Sequence, residues 1–476
     1  MTDLVVVGGG PAGLAATAEA VAAGLSVTMI DENAGLGGQI YRGLERAQTT
    51  RGSLLGEAYL TGRPLLDAVR RSNATLMLRS TVWSIERRDG GFVVGVASAD
   101  AAGGQRRMVE LSARTVLIAT GALERPFPIP GWTLPGVMTV GAAQTLLKSD
   151  GLVPTGPTVI AGGGPLLFLL AAQYRRAGAP VDQLLLTTPT SNLGAALPRA
   201  ASFLASTYAG KGFGLLASLL GRVRMVRGVT RLAAEGRDAL ETVSYVAAGR
   251  EHRVAAKTLL LHQGVVPQAS LAMAAGCGHR WNPVRLAFEP ARDSFGESLV
   301  PGLYIAGDCA GIGGAEAAAL EGRIAARRIA AVLAGASETG VDRTTAALRR
   351  NLQHALRGRG FLDRLYRPAN SFRNPPDEVV VCRCESVTAG AIRAACARGA
   401  SGPNQVKTFT RAGMGPCQGR LCGLTVAEII SKATGQPMED VGHARLRFPG
   451  KPVTLGELAA LHRPSEDGRS RHGRLF

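Results

Sequence analysis

The chain opens with an unbroken apolar run, Leu4-Val5-Val6-Val7, that passes into Gly8-Gly9-Gly10-Pro11-Ala12-Gly13. A short run without polar alternation predicts a parallel strand buried on both faces. Residues 14–23 are alanine-rich and closed by Gly24, which predicts a helix. Residues 25–30 predict a second buried strand, ending at Asp31 and Glu32. The order is a complete βαβ opening. Residues 81–97 and 108–111 alternate and predict antiparallel strands, whereas residues 115–119 form another buried run that turns at Thr120-Gly121. A Pro/Gly-rich crossing follows over residues 126–136.

The opening pattern returns at Thr158, with Gly162-Gly163-Gly164-Pro165, a helix over 166–177 and a strand over 183–186. Such a repeat is too long for a solenoid and suits duplicated nucleotide-binding units. Residues 242–261 predict further strands. Residues 303–306 predict one more, turning at Gly307-Asp308 into a helix over 315–333. The expected fold class is α/β, with two Rossmann-like dinucleotide-binding domains and a small helical C-terminal domain. The expected boundaries are 1–150 for the first part of domain one, 151–275 for domain two and 276–335 for the return to domain one. An Arg-rich linker at 336–377, a cysteine module at 378–437 and a basic tail at 438–476 complete the chain, its last dozen residues expected to be disordered.

With 476 residues and 46% apolar content the chain can bury large cores. Its net charge of +18 is mostly scattered arginine without interleaved aromatics, which favours solvated faces or an acidic partner over nucleic acid. No apolar stretch is long enough to predict a membrane span, and the first apolar run is a strand, not a leader. Four of the seven cysteines cluster, which points to a reducing compartment. A cytoplasmic location is expected, with peripheral attachment to the inner membrane as the alternative.

Gly8-x-Gly10-x-x-Gly13 carries the first chemistry. Gly8 allows the tight turn, Gly10 lets the backbone approach a pyrophosphate, and Gly13 lets helix and strand pack closely. Asp31 lies 18 residues after Gly13, placed to hold adenosine ribose hydroxyls. The second glycine string has Leu167 where the third glycine belongs, and its following strand ends in Thr187-Thr188 with no ribose-binding acid. That half is expected to be a relic of the fold or to take another nucleotide such as ATP, not NAD(P)H. His262 ends a buried strand and reads as a packed histidine or a nucleotide contact. Glu124, Arg125 and Glu316 fall near turns and read as structural or positioning groups. Catalytic residues are not legible.

The pieces Ala119-Thr120-Gly121 and Gly307-Asp308, with Gly37-Gly38-Gln39, make residues 3–335 resemble the two-dinucleotide-binding-domain flavoproteins, the group of glutathione and thioredoxin reductases. The resemblance implies FAD, with the Ala119–Gly121 turn beside it, Asp308 on its ribityl or phosphate side, and Gly38 and Gln39 near the isoalloxazine. Residues 1–276 lack cysteine, so the dithiol chemistry of those reductases is not expected; Cys277 and Cys309 read as structural.

Cys382-x-Cys384 and Cys417-x4-Cys422 are two close thiol pairs. Four thiolates suit zinc or an iron–sulfur cluster. Residues 378–435 resemble the bacterioferritin-associated-ferredoxin-like [2Fe–2S] domain, which implies that these four cysteines ligate a cluster, with Gly413 and Gly415 bringing N–H groups near it.

The whole order resembles the α subunits of heteromeric amino-acid dehydrogenases, the group of opine oxidases, D-hydroxyproline and proline dehydrogenases and hydrogen cyanide synthase. It implies a partner β subunit of the D-amino-acid-oxidase type, in some cases a further small subunit, an amino or imino acid or opine as substrate, and a quinone or other acceptor. Two other readings stay open: an NAD(P)H-dependent reductase of a partner protein, and a non-enzymatic redox sensor or assembly module.

Overall fold

A computed structural model describes residues 1–46, 54–99, 106–336 and 342–461. The expectation for the last dozen residues falls outside them. The first sheet runs in the order Thr75–Met77, Val27–Ile30, Thr2–Val7, Arg107–Ile118, Gly91–Ser98, Ser80–Arg88. Arg107–Ile118 serves two roles. Its first half pairs antiparallel with Gly91–Ser98 and its second half parallel with Thr2–Val7 and Leu303–Ile305. Its sequence changes to match, from alternation to the continuous apolar run that two covered faces require.

Helix Pro11–Ala22 lies along helix Ala315–Leu333. A Cβ on Gly322 would stand 2.1 Å from the Ala12 carbonyl oxygen, so only glycine permits this approach. Glu19 on the first helix then takes Arg323 and Arg327 of the second, each at 2.8 Å.

The second sheet is parallel throughout, in the order Arg224–Val226, Gln183–Leu186, Thr158–Gly162, Thr258–His262, Val137–Thr139. Strand Val137–Thr139 and helix Val140–Asp150 therefore belong to the second unit, which begins before residue 151. Leu167, where the third glycine of the second string would stand, fits inside this unit. It is fully buried in a core with Ile160, Leu184 and Leu260.

Within the expected linker, the described residues 342–377 are folded. They contain helices Arg343–Ala355, Arg359–Leu365 and Asn370–Arg373. Two of their arginines pair with carboxylates: Arg359 shares Asp363 with Arg285 of the return segment, and Arg373 meets Glu428 at 2.7 Å. Widely spaced Leu348, Phe361, Leu362 and Phe372 supply the buried face.

The cysteine module is built on helices Ala389–Ala397, Pro403–Thr410 and Gly423–Thr434. Trp281 and Phe288, on the hairpin His279–Asn282/Ala287–Pro290, pack against its core. Trp132 Nε1 donates to the Val380 carbonyl at 2.7 Å. Residues 438–461 are not a free tail either: Phe448 packs on the first-sheet core, and helix Leu455–Ala460 is anchored by Glu457, which accepts from Arg106 at 2.6 and 3.1 Å. Apolar anchors and carboxylates this widely spaced leave too weak a pattern to read from sequence.

Candidate functional site

A cleft of about 510 Å³ opens where the first glycine loop meets the turns at Ala119–Gly121 and Ala306–Asp308. Among its lining residues are Gly8, Gly10, Pro11, Ala12, Asp31, Glu32, Gly38, Gln39, Ala119, Thr120, Gly121 and Asp308. Gly13 and Gly307 lie behind this wall. A Cβ on Gly13 would stand 1.9 Å from the Gly8 carbonyl oxygen, and one on Gly307 2.8 Å from Ala12 Cβ. Gly8 has φ +112, and its Cβ would meet the Ala119 carbonyl oxygen at 2.4 Å; on Gly38 it would meet Gly10 Cα at 2.8 Å. The backbone thus forms a cradle that side chains would fill, with helix Pro11–Ala22 directed from it. This is the shape a dinucleotide pyrophosphate needs.

Asp31 is less free than its position in sequence suggests. Its Oδ2 accepts from Gly9 N at 2.6 Å and its Oδ1 from Asn33 N and Nδ2 at 2.7 and 2.8 Å. The carboxylate ties the glycine loop to the end of the second strand, and the more exposed Glu32 beside it pairs with Lys451. Asp308 Oδ1 likewise accepts from Gly313 N and Gly314 N at 2.9 and 3.0 Å, fixing the turn ahead of helix Ala315–Leu333.

Glu124, Arg125 and His262, singled out in the sequence, come together at and behind the cleft wall. Glu124 lines the cleft; its Oε1 lies 2.5 Å from His262 Nδ1 and its Oε2 accepts from Gly141 N at 2.8 Å. His262 is therefore a packed histidine with a carboxylate partner. Arg125, the next residue, is fully buried; burial lowers its pKa and Glu428, 3.8 Å away, opposes the shift. Arg42, Arg420 and Lys451 are the cations of the lining. The Nε atoms of Arg42 and Arg420 are buried without a hydrogen-bond partner among the described residues. Buried donors of this kind call for an acceptor, and an anionic cofactor supplies one.

The second glycine loop differs. A Cβ on Gly163 would meet Thr188 Oγ1 at 2.5 Å, and one on Gly164 would meet His262 Nε2 at 3.0 Å. Gly163 thus resembles Gly9, whose Cβ would meet Leu36 Cδ2 at 2.8 Å, and the difference lies at Gly164, where the His262 ring packs while the matching Gly10 has only Gly38 Cα within reach, at 3.8 Å.

Cys382, Cys384, Cys417 and Cys422 come together on two loops. Cys422 interacts with Cys382 and Cys417, and Cys417 with Cys384. Cys422, helped by Gly413 and Glu385 N–H groups, lowers Cys382 to about 6; Cys422 with Leu421 and Gly419 N–H groups lowers Cys417 to about 5. The Cys422 thiol is pushed up by its interactions with Cys382 and Cys417 and by burial. Gly415 packs so closely on Cys384 that a Cβ would stand 2.2 Å from Cys384 Cβ. Among the described residues no group of three or more His, Cys, Asp or Glu side chains is placed to hold a metal ion. Cys277 and Cys309 sit in the first-sheet core, and Cys396 packs against the module core.

The pyridine nucleotide-disulphide oxidoreductase family matches residues 2–322, and the sarcosine oxidase A3 domain matches residues 378–462. Fold and cleft define an FAD-dependent oxidoreductase of that family. The chain is 47% identical to the A-type subunit of opine oxidase from Agrobacterium tumefaciens (strain Ach5), over 96% of this chain and 92% of that protein. It is 32% identical to the HcnB subunit of hydrogen cyanide synthase from Pseudomonas protegens, over 98% and 99% of the two chains. It belongs to the family of these proteins, the α-type subunits of heteromeric FAD-dependent oxidases. L-proline dehydrogenase from P. horikoshii shares the fold, with a TM-score of 0.70 at 20% identity over 96% of this chain and 79% of that one. No helix among the described residues is long and apolar enough to cross a membrane.

Proposed function

We propose that this chain is the electron-transferring subunit of a heteromeric dehydrogenase that oxidises an amino acid, imino acid or opine. The observation that carries the reading is the pairing, in one chain, of an open dinucleotide cradle with four thiols brought together on two loops. Bound FAD would supply two-electron acceptance with single-electron release, and a [2Fe–2S] cluster one-electron acceptance. Gly8, Gly10, Pro11, Ala12 and Gly13 would present the loop backbone to the pyrophosphate. Asp31 and Glu32 close the adenosine side, and Gly38, Gln39 and the Ala119–Gly121 turn wall the cleft. Gly307 and Asp308 set the turn on the ribityl side.

Cys382, Cys384, Cys417 and Cys422 would hold the cluster. The Gly413, Glu385, Gly419 and Leu421 N–H groups that already point at sulfur would stabilise the thiolates. Substrate oxidation would take place on a partner of the D-amino-acid-oxidase type, and a quinone or other acceptor would receive the electrons. The His262 ring packed on Gly164 of the second glycine loop favours this reading over an NAD(P)H-dependent reductase.

Purified chain should carry about two irons and two sulfides with its flavin. Zinc in their place removes the cluster. Under anaerobic conditions the flavin should stay oxidised with NADH or NADPH. It should bleach only when the β partner is present together with an opine, proline or hydroxyproline. Bleaching by NADH alone overturns the proposal.

A further inference from the structure

The cleft lining contains four carboxylates, Asp31, Glu32, Glu124 and Asp308, and three cations, Arg42, Arg420 and Lys451. Two of the three cations come from the far end of the chain. Arg420 lies inside the loop that bears Cys417 and Cys422, and Lys451 lies beyond the last helix of the cysteine module. A dinucleotide brings two phosphate charges into this cleft. With Arg42 as the sole cation the lining would carry three uncompensated carboxylates; Arg420 and Lys451 offset two of them and so cut the repulsion of those phosphates.

Residues 448–451 reach the cleft along a fixed path. Phe448 packs on the first-sheet core, Gly450 N donates to the Trp83 carbonyl at 2.7 Å, and Lys451 pairs with Glu32. Arg420 joins this segment to the cysteine loop, donating to the Gly450 carbonyl with one Nη and to the Cys417 carbonyl with the other at 3.0 Å. The Arg106–Glu457 pair holds the downstream end.

We infer that residues 448–451 and Arg420 form a strap that completes the FAD site, Arg420 and Lys451 being cofactor-binding residues supplied by the C-terminal region. The inference rests on reading the cleft as the FAD site. It makes cofactor binding and the order of the cysteine loop reciprocal, because one guanidinium serves both.

The test is FAD binding to apoprotein of the full chain, followed by flavin fluorescence. Lys451→Met and Arg420→Gln should each weaken FAD binding about tenfold or more, with Arg420→Lys recovering part of the loss. The dissociation constant should also rise with salt in the unaltered chain and less so in the variants. Unchanged affinity in both variants overturns the strap while leaving the FAD site in place. An unaltered chain that binds no FAD overturns the site itself. Hydrogen exchange on the unaltered chain guards against misfolded variants: FAD should slow exchange over residues 448–458, and equal exchange with and without FAD overturns the strap.

Discussion

Lys148 is buried beneath the loop that carries Gln39, its ammonium donating to the Gln39 carbonyl at 3.0 Å. Burial, with Arg42 nearby, lowers its pKa from 10.5 to about 7. The sign follows from where the proton sits. Below pH 7 both folded and unfolded chains hold it, and the full penalty of a buried ammonium opposes folding. Between about pH 7 and 10.5 the unfolded chain binds the extra proton, so stability rises with pH, and above that range the penalty is gone. Lys148→Met should therefore be more stable than the unaltered chain at about pH 6.5, with the gap closing towards about pH 10. Denaturant midpoints of the two chains across that range check this, and parallel curves would refute it. The glycines show the other side of the residue scale. Gly13 is legible because its sequence position alone demands a missing Cβ. Arg420 and Lys451 are not, because nothing in their local sequence says which cleft they reach.

At the scale of elements, the strands and helices of both βαβ units follow from apolar runs and glycine turns, and the helix Ala315–Leu333 can be read to the residue. What escapes is held by charge. The helices of residues 343–373 bury few apolar groups each and depend on ion pairs made to positions far away in sequence, a signal that local periodicity does not contain. Glu428 is the clearest of these. It is buried on helix Gly423–Thr434, takes Arg373 at 2.7 Å and stands 3.8 Å from the equally buried Arg125. Glu428→Gln keeps the shape but leaves two guanidinium groups without a countercharge, and breaking such a cluster costs about 3–5 kcal/mol. Urea unfolding should show a loss of that size; a loss below about 1 kcal/mol would mean water, not Glu428, satisfies the arginines.

For the whole molecule, these contacts decide whether the cysteine module is a separate bead or part of one body. Its core takes in Trp281 and Phe288 from the return segment of the first unit, and His279 packs edge-on against His443 at 5.8 Å. Trp132 of the crossing, Arg125 next to the cleft residue Glu124, and Arg106 just ahead of strand Arg107–Ile118 each pair with a different stretch of the C-terminal region. A linker would let the module melt by itself, but residues 343–373 are helices bonded to both sides. The full chain should therefore unfold in a single calorimetric transition, and FAD should raise its midpoint as a whole by linkage. Glu428→Gln should lower that one midpoint without splitting it. A separate low-temperature transition, insensitive to FAD and lost on removing residues 378–476, would show instead that the thiol-bearing module folds independently of the cleft whose cations it supplies.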